Sequence, residues 1–223
     1  MTFHEYPDRD MAVMQIAQML AGSLRKCLAQ HDLASLAVPG GSTPGPVFDA
    51  MSSVELDWSR VHVMLTDERW VPEDHERSNA GLVKRRLLTG PAAKAEFVPF
   101  YRAGMTADEA APVLSQELGH LLPVSVLLLG MGADMHTASL FPGADTLSAA
   151  LDKNAPMLCA VHPEDQPEAR ISLSAPVLDG AMEKHLVIFG DDKRTALEKA
   201  MTLPPEEAPV GAVIAGGDVH WAA

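Results

Sequence analysis

Apolar residues recur at three- and four-residue spacing from Asp10 onward. Val13, Ile16, Ala17, Leu20, Leu24 and Leu28 share one stripe, which predicts an amphipathic helix ending near Gln30. Met11, Met14 and Met19 read there as core filler, the commonest use of methionine. Short apolar runs at 34–38, 61–65 and 184–190 predict strands, and the uninterrupted run 126–129 predicts a strand buried on both faces. Weaker strand signals lie at 157–161, at 170–174, where Arg170, Ser172 and Ser174 alternate onto one face, and at 210–215. The run 96–100 is demoted to a sheet edge by Pro99, and 216–221 is expected to finish near the surface. Between these runs the pattern becomes helical at 45–51, at 80–88 after Ser78 and Asn79, from a Thr106 cap through Leu118, at 176–180 and at 191–201. Lys84, Arg85 and Arg86 fall on a solvated face, and the acidic, proline-bearing 164–168 reads as an exposed loop.

Strands alternating with helical segments predict an α/β fold with three layers, a mostly parallel, Rossmann-like sheet carrying helices on both faces. No linker, repeat or low-complexity tract divides the chain, so residues 1–223 are expected to form one domain. In such sheets ligands collect at the carboxyl ends of the strands. Four polar segments follow apolar runs here. The glycine loop Pro39-Gly40-Gly41-Ser42-Thr43-Pro44 turns backbone N–H groups and a helix N-terminus toward an anion, or else forms an ordinary capped turn. Asp67 and Arg69 follow the second run, and an isolated surface ion-pair cluster is the plain alternative for them. Asp134, His136, Thr137 and Ser139 follow Gly130 and Gly132, and Lys193 opens the helix after Gly190.

Composition narrows the function. A formal charge of −13 argues against a nucleic-acid partner, because counterion release needs a basic surface. Any anionic substrate must then be held by a few local cations. The two cysteines, Cys27 and Cys159, lie far apart with no metal-type spacing, so two reduced thiols and no metal site are expected. Glu5, Asp8 and Asp10 near the start, and the lack of about 18 consecutive apolar residues, predict a cytoplasmic chain with no signal peptide and no membrane contact.

Taken together, these segments resemble the superfamily of 6-phosphogluconolactonase and glucosamine-6-phosphate isomerase/deaminase. Gly40 to Pro44 is similar to its Gly-Gly-Ser-Thr-Pro loop, Thr66-Asp67-Glu68-Arg69 to its Asp-Glu-Arg segment, and 130–143 to its longest signature. Arg170-Ile171-Ser172-Leu173 and Gly190-Asp191-Asp192-Lys193 resemble its later Arg and Lys segments. The resemblance implies hydrolysis of 6-phospho-D-glucono-1,5-lactone without metal or organic cofactor; a monomer or weak homo-oligomer is expected. Lactone hydrolysis needs a deprotonated water, a stabilised oxyanion and a proton for the ring oxygen. On that basis His136 is expected to move both protons, Asp134 or Asp67 to orient it, and Arg69 to stabilise charge. Gly40, Gly41, Ser42, Thr43, Arg170 and Lys193 are expected to hold the phosphate. Two alternatives stand beside this: the isomerase/deaminase activity and a catalytically silent sugar-phosphate sensor. The former should keep an acidic residue shortly after the histidine, and 137–143 has none. The signature usually has glycine where this chain has Met135; a positive φ there would strain a methionine by roughly 1–2 kcal/mol.

Overall fold

The computed structural model describes residues 1–164 and 166–223. Seven parallel strands form its central sheet: β1 (Thr2–Glu5), β2 (Ala34–Val38), β3 (Val61–Leu65), β5 (Glu96–Phe97), β6 (Val126–Leu129), β9 (Glu183–Phe189) and β10 (Asp218–Ala222), in the order β1-β10-β9-β6-β2-β3-β5. A second, antiparallel sheet of order β4-β8-β7 comprises β4 (Asp67–Arg69), β7 (Leu158–Val161) and β8 (Arg170–Leu173). The helices are α1 (Arg9–Leu28), α2 (Gly45–Ser52), α3 (Asn79–Arg86), α4 (Ala107–Leu118), α5 (Leu147–Leu151), α6 (Ala175–Asp179), α7 (Asp191–Ala200) and α8 (Pro209–Val213).

The local chemistry explains the boundaries. Asp8 caps α1 by accepting from Met11 N at 2.8 Å, and Thr106 with Glu109 closes a reciprocal capping box on α4. Every residue of β2 and β6 is buried, as expected of inner parallel strands covered twice. The cover differs by face. Tyr6 reaches Met19 of α1 on one side, while Arg194 of α7 stacks over Phe3 and Trp221 on the other.

From β2 the chain builds outward through β3 and β5, then returns to β6 and builds the other way through β9 and β10. The order therefore reverses between β2 and β6. Loops leaving these two strands diverge there and open a crevice at the sheet's carboxyl rim.

Several expectations change. The run 210–215 is not a strand: Pro209 starts the short helix α8, and the last strand is β10, whose residues after Asp218 are buried rather than superficial. Runs 157–161 and 170–174 leave the parallel sheet altogether: β7 pairs antiparallel with β8, and β8 with β4, which the charged triplet Asp67-Glu68-Arg69 disguised. Only Glu96–Phe97 of 96–100 is strand, at the edge as Pro99 implied. Met11 and Met14 are exposed rather than core, and Glu168 of the 164–168 segment is half-buried, while Asp165 lies outside the described residues. Cys27 and Cys159 are unpaired. Among the described residues no helix is long and apolar enough to cross a membrane.

Candidate active site

At the switch point the β2 and β6 loops face each other across a cavity of about 260 Å³, also reached by Asp67, Arg69 and Asn79. The first wall is 39–44. Gly41 adopts φ +89°, and Gly40 lies so close to the Asn79 side chain that any Cβ would collide with it. Neither Ser42 nor Thr43 is spent as a cap: α2 starts on Pro44 with no side-chain hydrogen bond to its first turn, although Gly45 N bonds Ser42 O at 3.3 Å. That leaves hydroxyls and a helix N-terminus directed at the cavity, a setting that favours an anion.

The second wall is the β6 loop. His136 Nδ1 lies 2.5 Å from Asp134 Oδ1, and the ring leans on Phe141 at 4.7 Å between centroids. Burial pushes Asp134 up, but the adjoining imidazole and the hydrogen bonds from His136 outweigh it and hold the carboxyl below its usual value. An ionised Asp134 makes Nδ1 the protonated nitrogen, so Nε2 carries the lone pair. Gly132 makes the pair possible, since a Cβ there would strike both the His136 ring and the Asp134 carboxylate.

The loop is held from several sides. Gly132 N bonds His136 O at 2.9 Å, Thr137 Oγ1 bonds Gly130 O at 2.8 Å, and Val210 N bonds Met135 O at 3.3 Å. Ser139 Oγ donates to Asp67 Oδ2 at 2.7 Å. Met135 does adopt a positive φ, +66°, and Ala138 follows at +50°. Two non-glycine residues in the left-handed region flank His136, a strain that persists only where surrounding contacts fix it.

Asp67 itself bonds Thr66 and Ser139 rather than the histidine, so among the two candidate orienters Asp134 is the one in contact. Arg69 lines the cavity, with Nη1 donating to Arg77 O at 2.6 Å. Lys193 Nζ donates to Met131 O at 3.0 Å, which puts a cation against the back of the β6 loop. Arg170 is 3% exposed and sits opposite Arg69 across the β4–β8 pair, behind the cavity wall rather than in it.

Sequence reasoning passed over Asn79 and Glu68 as site residues. Asn79 Nδ2 donates to Asp67 O at 2.8 Å and lines the cavity. Glu68 is fully buried, yet accepts from Asn79 N, Ala80 N, Arg69 N and Ser78 Oγ, tying β4 to the α3 N-terminus. Burial nonetheless raises its pKa, against the hydrogen bonds that oppose it. The alternation that sends Asp67 and Arg69 one way and Glu68 the other was the available signal.

A family model described as glucosamine-6-phosphate isomerases/6-phosphogluconolactonase matches residues 7–221. A 6-phosphogluconolactonase of Pseudomonas aeruginosa is 43% identical over 92% of this chain and 88% of its own. One from Mesorhizobium japonicum is 38% identical over 99% of this chain and 94% of its own. A crystal structure of a 6-phosphogluconolactonase from Shewanella baltica superposes with a TM-score of 0.95 at 33% identity, covering 100% of this chain and 97% of that one. With the match running nearly end to end, the chain belongs to the glucosamine-6-phosphate isomerase/6-phosphogluconolactonase family.

Proposed function

We propose that this chain hydrolyses 6-phospho-D-glucono-1,5-lactone to 6-phospho-D-gluconate, in the oxidative branch of the pentose phosphate pathway, with His136 as the proton carrier. The observation that carries this is the His136–Asp134 pair on a cavity whose opposite wall is an uncapped, hydroxyl-bearing helix N-terminus. An imidazole with a free Nε2 and an anion cradle across from it suit an ester whose far end is a phosphate. Relatives at 43% and 38% identity are named for this activity.

In the proposed mechanism Nε2 takes a proton from a water as its oxygen attacks the lactone carbonyl. Asp134 stabilises the imidazolium formed, and Arg69 stabilises the tetrahedral oxyanion. Collapse of the intermediate breaks the bond to the ring oxygen, which receives the proton back from Nε2. One proton thus passes through Nε2 in both steps, while water's other proton stays on the product carboxylic acid, which then ionises. Gly40, Gly41, Ser42 and Thr43 hold the phosphate, Lys193 contributes positive charge through the β6 loop, and Arg170 acts from behind Arg69. Asp67 positions Ser139 rather than the imidazole. No metal or organic cofactor takes part in any step.

The reading extends to the whole chain, 1–223, as one domain working in the cytoplasm as a monomer or weak homo-oligomer. Pairing of β1 with β10, the two ends of the chain, supports the single domain. The test generates the lactone in situ with a coupled dehydrogenase and follows its loss against spontaneous hydrolysis. Wild type should exceed that background by orders of magnitude and His136→Ala should not. An equal rate from the two proteins sinks the assignment of His136, and no acceleration by wild type sinks the function.

A further inference from the structure

Beside the cavity three guanidinium groups crowd together. Arg69 and Arg170 are direct cross-strand partners, and like charges so placed repel. Arg77 joins them: its Nη2 shares the Gln166 Oε1 acceptor with Arg170 Nη2, and its backbone carbonyl is what Arg69 Nη1 bonds. Asp67, the nearest carboxylate on β4, is already engaged by Thr66 and Ser139.

The counter-charge comes from across the sheet edge. Glu168 Oε2 lies 3.1 Å from Arg77 Nη2 and 3.8 Å from Arg170 Nη1. Neither contact is aligned as a hydrogen bond, and both the carboxylate oxygen and Arg170 Nη1 are buried with no hydrogen-bond partner among the described residues. Gln166 Oε1 spans the same two arginines, accepting from Arg77 Nη2 and Arg170 Nη2 at 3.2 Å each. Trp70 N bonds Ala169 O at 2.8 Å, so this segment is fixed to the strand that carries Arg69. Burial, together with the charges of Arg69 and Arg77, lowers the pKa of Arg170, the mark of a cation short of compensation.

We propose that Glu168 is a positioning residue: by clamping Arg77 and Arg170 it keeps the Arg69 guanidinium on the Arg77 carbonyl and aimed into the cavity. This rests on Arg69 stabilising the oxyanion. Two effects of removing the carboxylate have opposite signs. Loss of a negative charge alone would strengthen the positive field at the oxyanion and leave or raise kcat. Loss of position lets Arg69 swing away from Arg170, and a displacement near 1 Å costs about a hundredfold in rate.

The experiment compares Glu168→Gln, Glu168→Asp, Arg69→Ala and the Arg69→Ala/Glu168→Gln double variant in the coupled lactone assay, each normalised to folded protein by circular dichroism. Glu168→Gln should lower kcat roughly ten- to a hundredfold with KM within about threefold, and Glu168→Asp should recover part of it. On the Arg69→Ala background Glu168→Gln should cost almost nothing further, because the arginine it positions is gone. An unchanged or raised kcat in Glu168→Gln, or a full additional loss in the double variant, overturns the proposal. If Arg69→Ala retains wild-type kcat, the role given to Arg69 fails instead. Should Glu168→Gln not fold, Gln166→Ala, which removes the other bridge between Arg77 and Arg170, must show the same non-additivity with Arg69→Ala; additivity there also overturns it.

Discussion

At the sheet's rim, His136 keeps 30% of its side chain exposed and bonds a carboxylate held ionised. At the far edge, His185 and His220 are buried and bond each other, Nδ1 to Nε2, at 3.1 Å. The far-edge pair belongs to a neutral chain. Tyr6 OH lies 2.8 Å from His220 Nδ1, and burial, then Asp218, raises the Tyr6 pKa and keeps the phenol a donor. His4 stacks on His220 at 5.0 Å and bonds the carboxylate of Asp218. Burial and the neighbouring imidazoles lower His220 to about 3 and lower His185 as well. In the proposed mechanism the same side chain is a proton carrier where a carboxylate and water reach it; buried among imidazoles, it is a hydrogen-bonding filler.

The largest expected effect separates the two sites by what each loses. His136→Ala should reduce kcat by roughly 10²–10⁴-fold while leaving the thermal midpoint nearly unchanged, since its ring closes no core packing. His220→Ala should do the reverse. A large fall in thermal midpoint for His136→Ala would mean that the rim histidine is structural after all.

Acid should find the far edge first. The native pKa of His220 lies below its unfolded value of 6.5, so the unfolded chain binds more protons as pH falls. Stability from this group is complete above pH 6.5 and is lost progressively toward pH 3, at about 1.4 kcal/mol per pH unit and on the order of 4–5 kcal/mol in all. His185 adds to the same slope in the same direction. Urea unfolding between pH 7 and pH 5, where most unfolded carboxylates are still ionised, measures it. His220→Gln should flatten the slope by one histidine's worth; an unaltered slope would show that the buried pair titrates normally.

These buried imidazoles also explain what could not be read from the sequence. β2, β3, β6 and β9 announced themselves because both their faces are apolar. β1 and β10 hid because His4, His220 and Asp218 read as solvent-facing although the edge network absorbs them. β4 hid for a related reason, with Glu68 satisfied by the α3 N-terminus and Asp67 by two hydroxyls. Periodicity cannot register polar atoms that find partners inside. The run 210–215 misled in the opposite sense, since four or five apolar residues suit a strand or a short helix equally and Pro209 at its start decided for the helix. At the site, 39–44 and 130–139 were legible as motifs because local backbone geometry demands their glycines, and Arg69 because a charged segment follows an apolar run. Glu168 and Arg77 were not, because their significance comes from a long-range meeting with Arg170.

A backbone test of the rim comes next in size. Gly132→Ala would press a methyl group into the His136 ring and the Asp134 carboxylate, so the pair must part. We expect kcat lower by about a hundredfold, as for an ångström-scale misplacement, with KM less affected. Gly22, within α1 and with open space around its Cα, is the matched control: Gly22→Ala should leave kcat unchanged and raise stability by about 0.5–1 kcal/mol. Equal kcat in the two variants would remove Gly132 from the account of the site.

The smallest effect belongs to Met135, the residue where the two influences on the rim loop oppose each other. At φ +66° a methionine stores roughly 1–2 kcal/mol that glycine would release. Glycine in turn forfeits the partly buried Met135 packing and adds about 0.5–1 kcal/mol of unfolded-state entropy. Met135→Gly should therefore shift unfolding free energy by less than about 1 kcal/mol in either direction. Activity should follow, with kcat/KM within about threefold of wild type, because the backbone already holds the left-handed turn and the His136–Asp134 bond forms with methionine in place. A tenfold gain in kcat/KM would show instead that the strain reaches the imidazole, and that the rim histidine, like the buried pair, is governed by its packing as much as by its carboxylate.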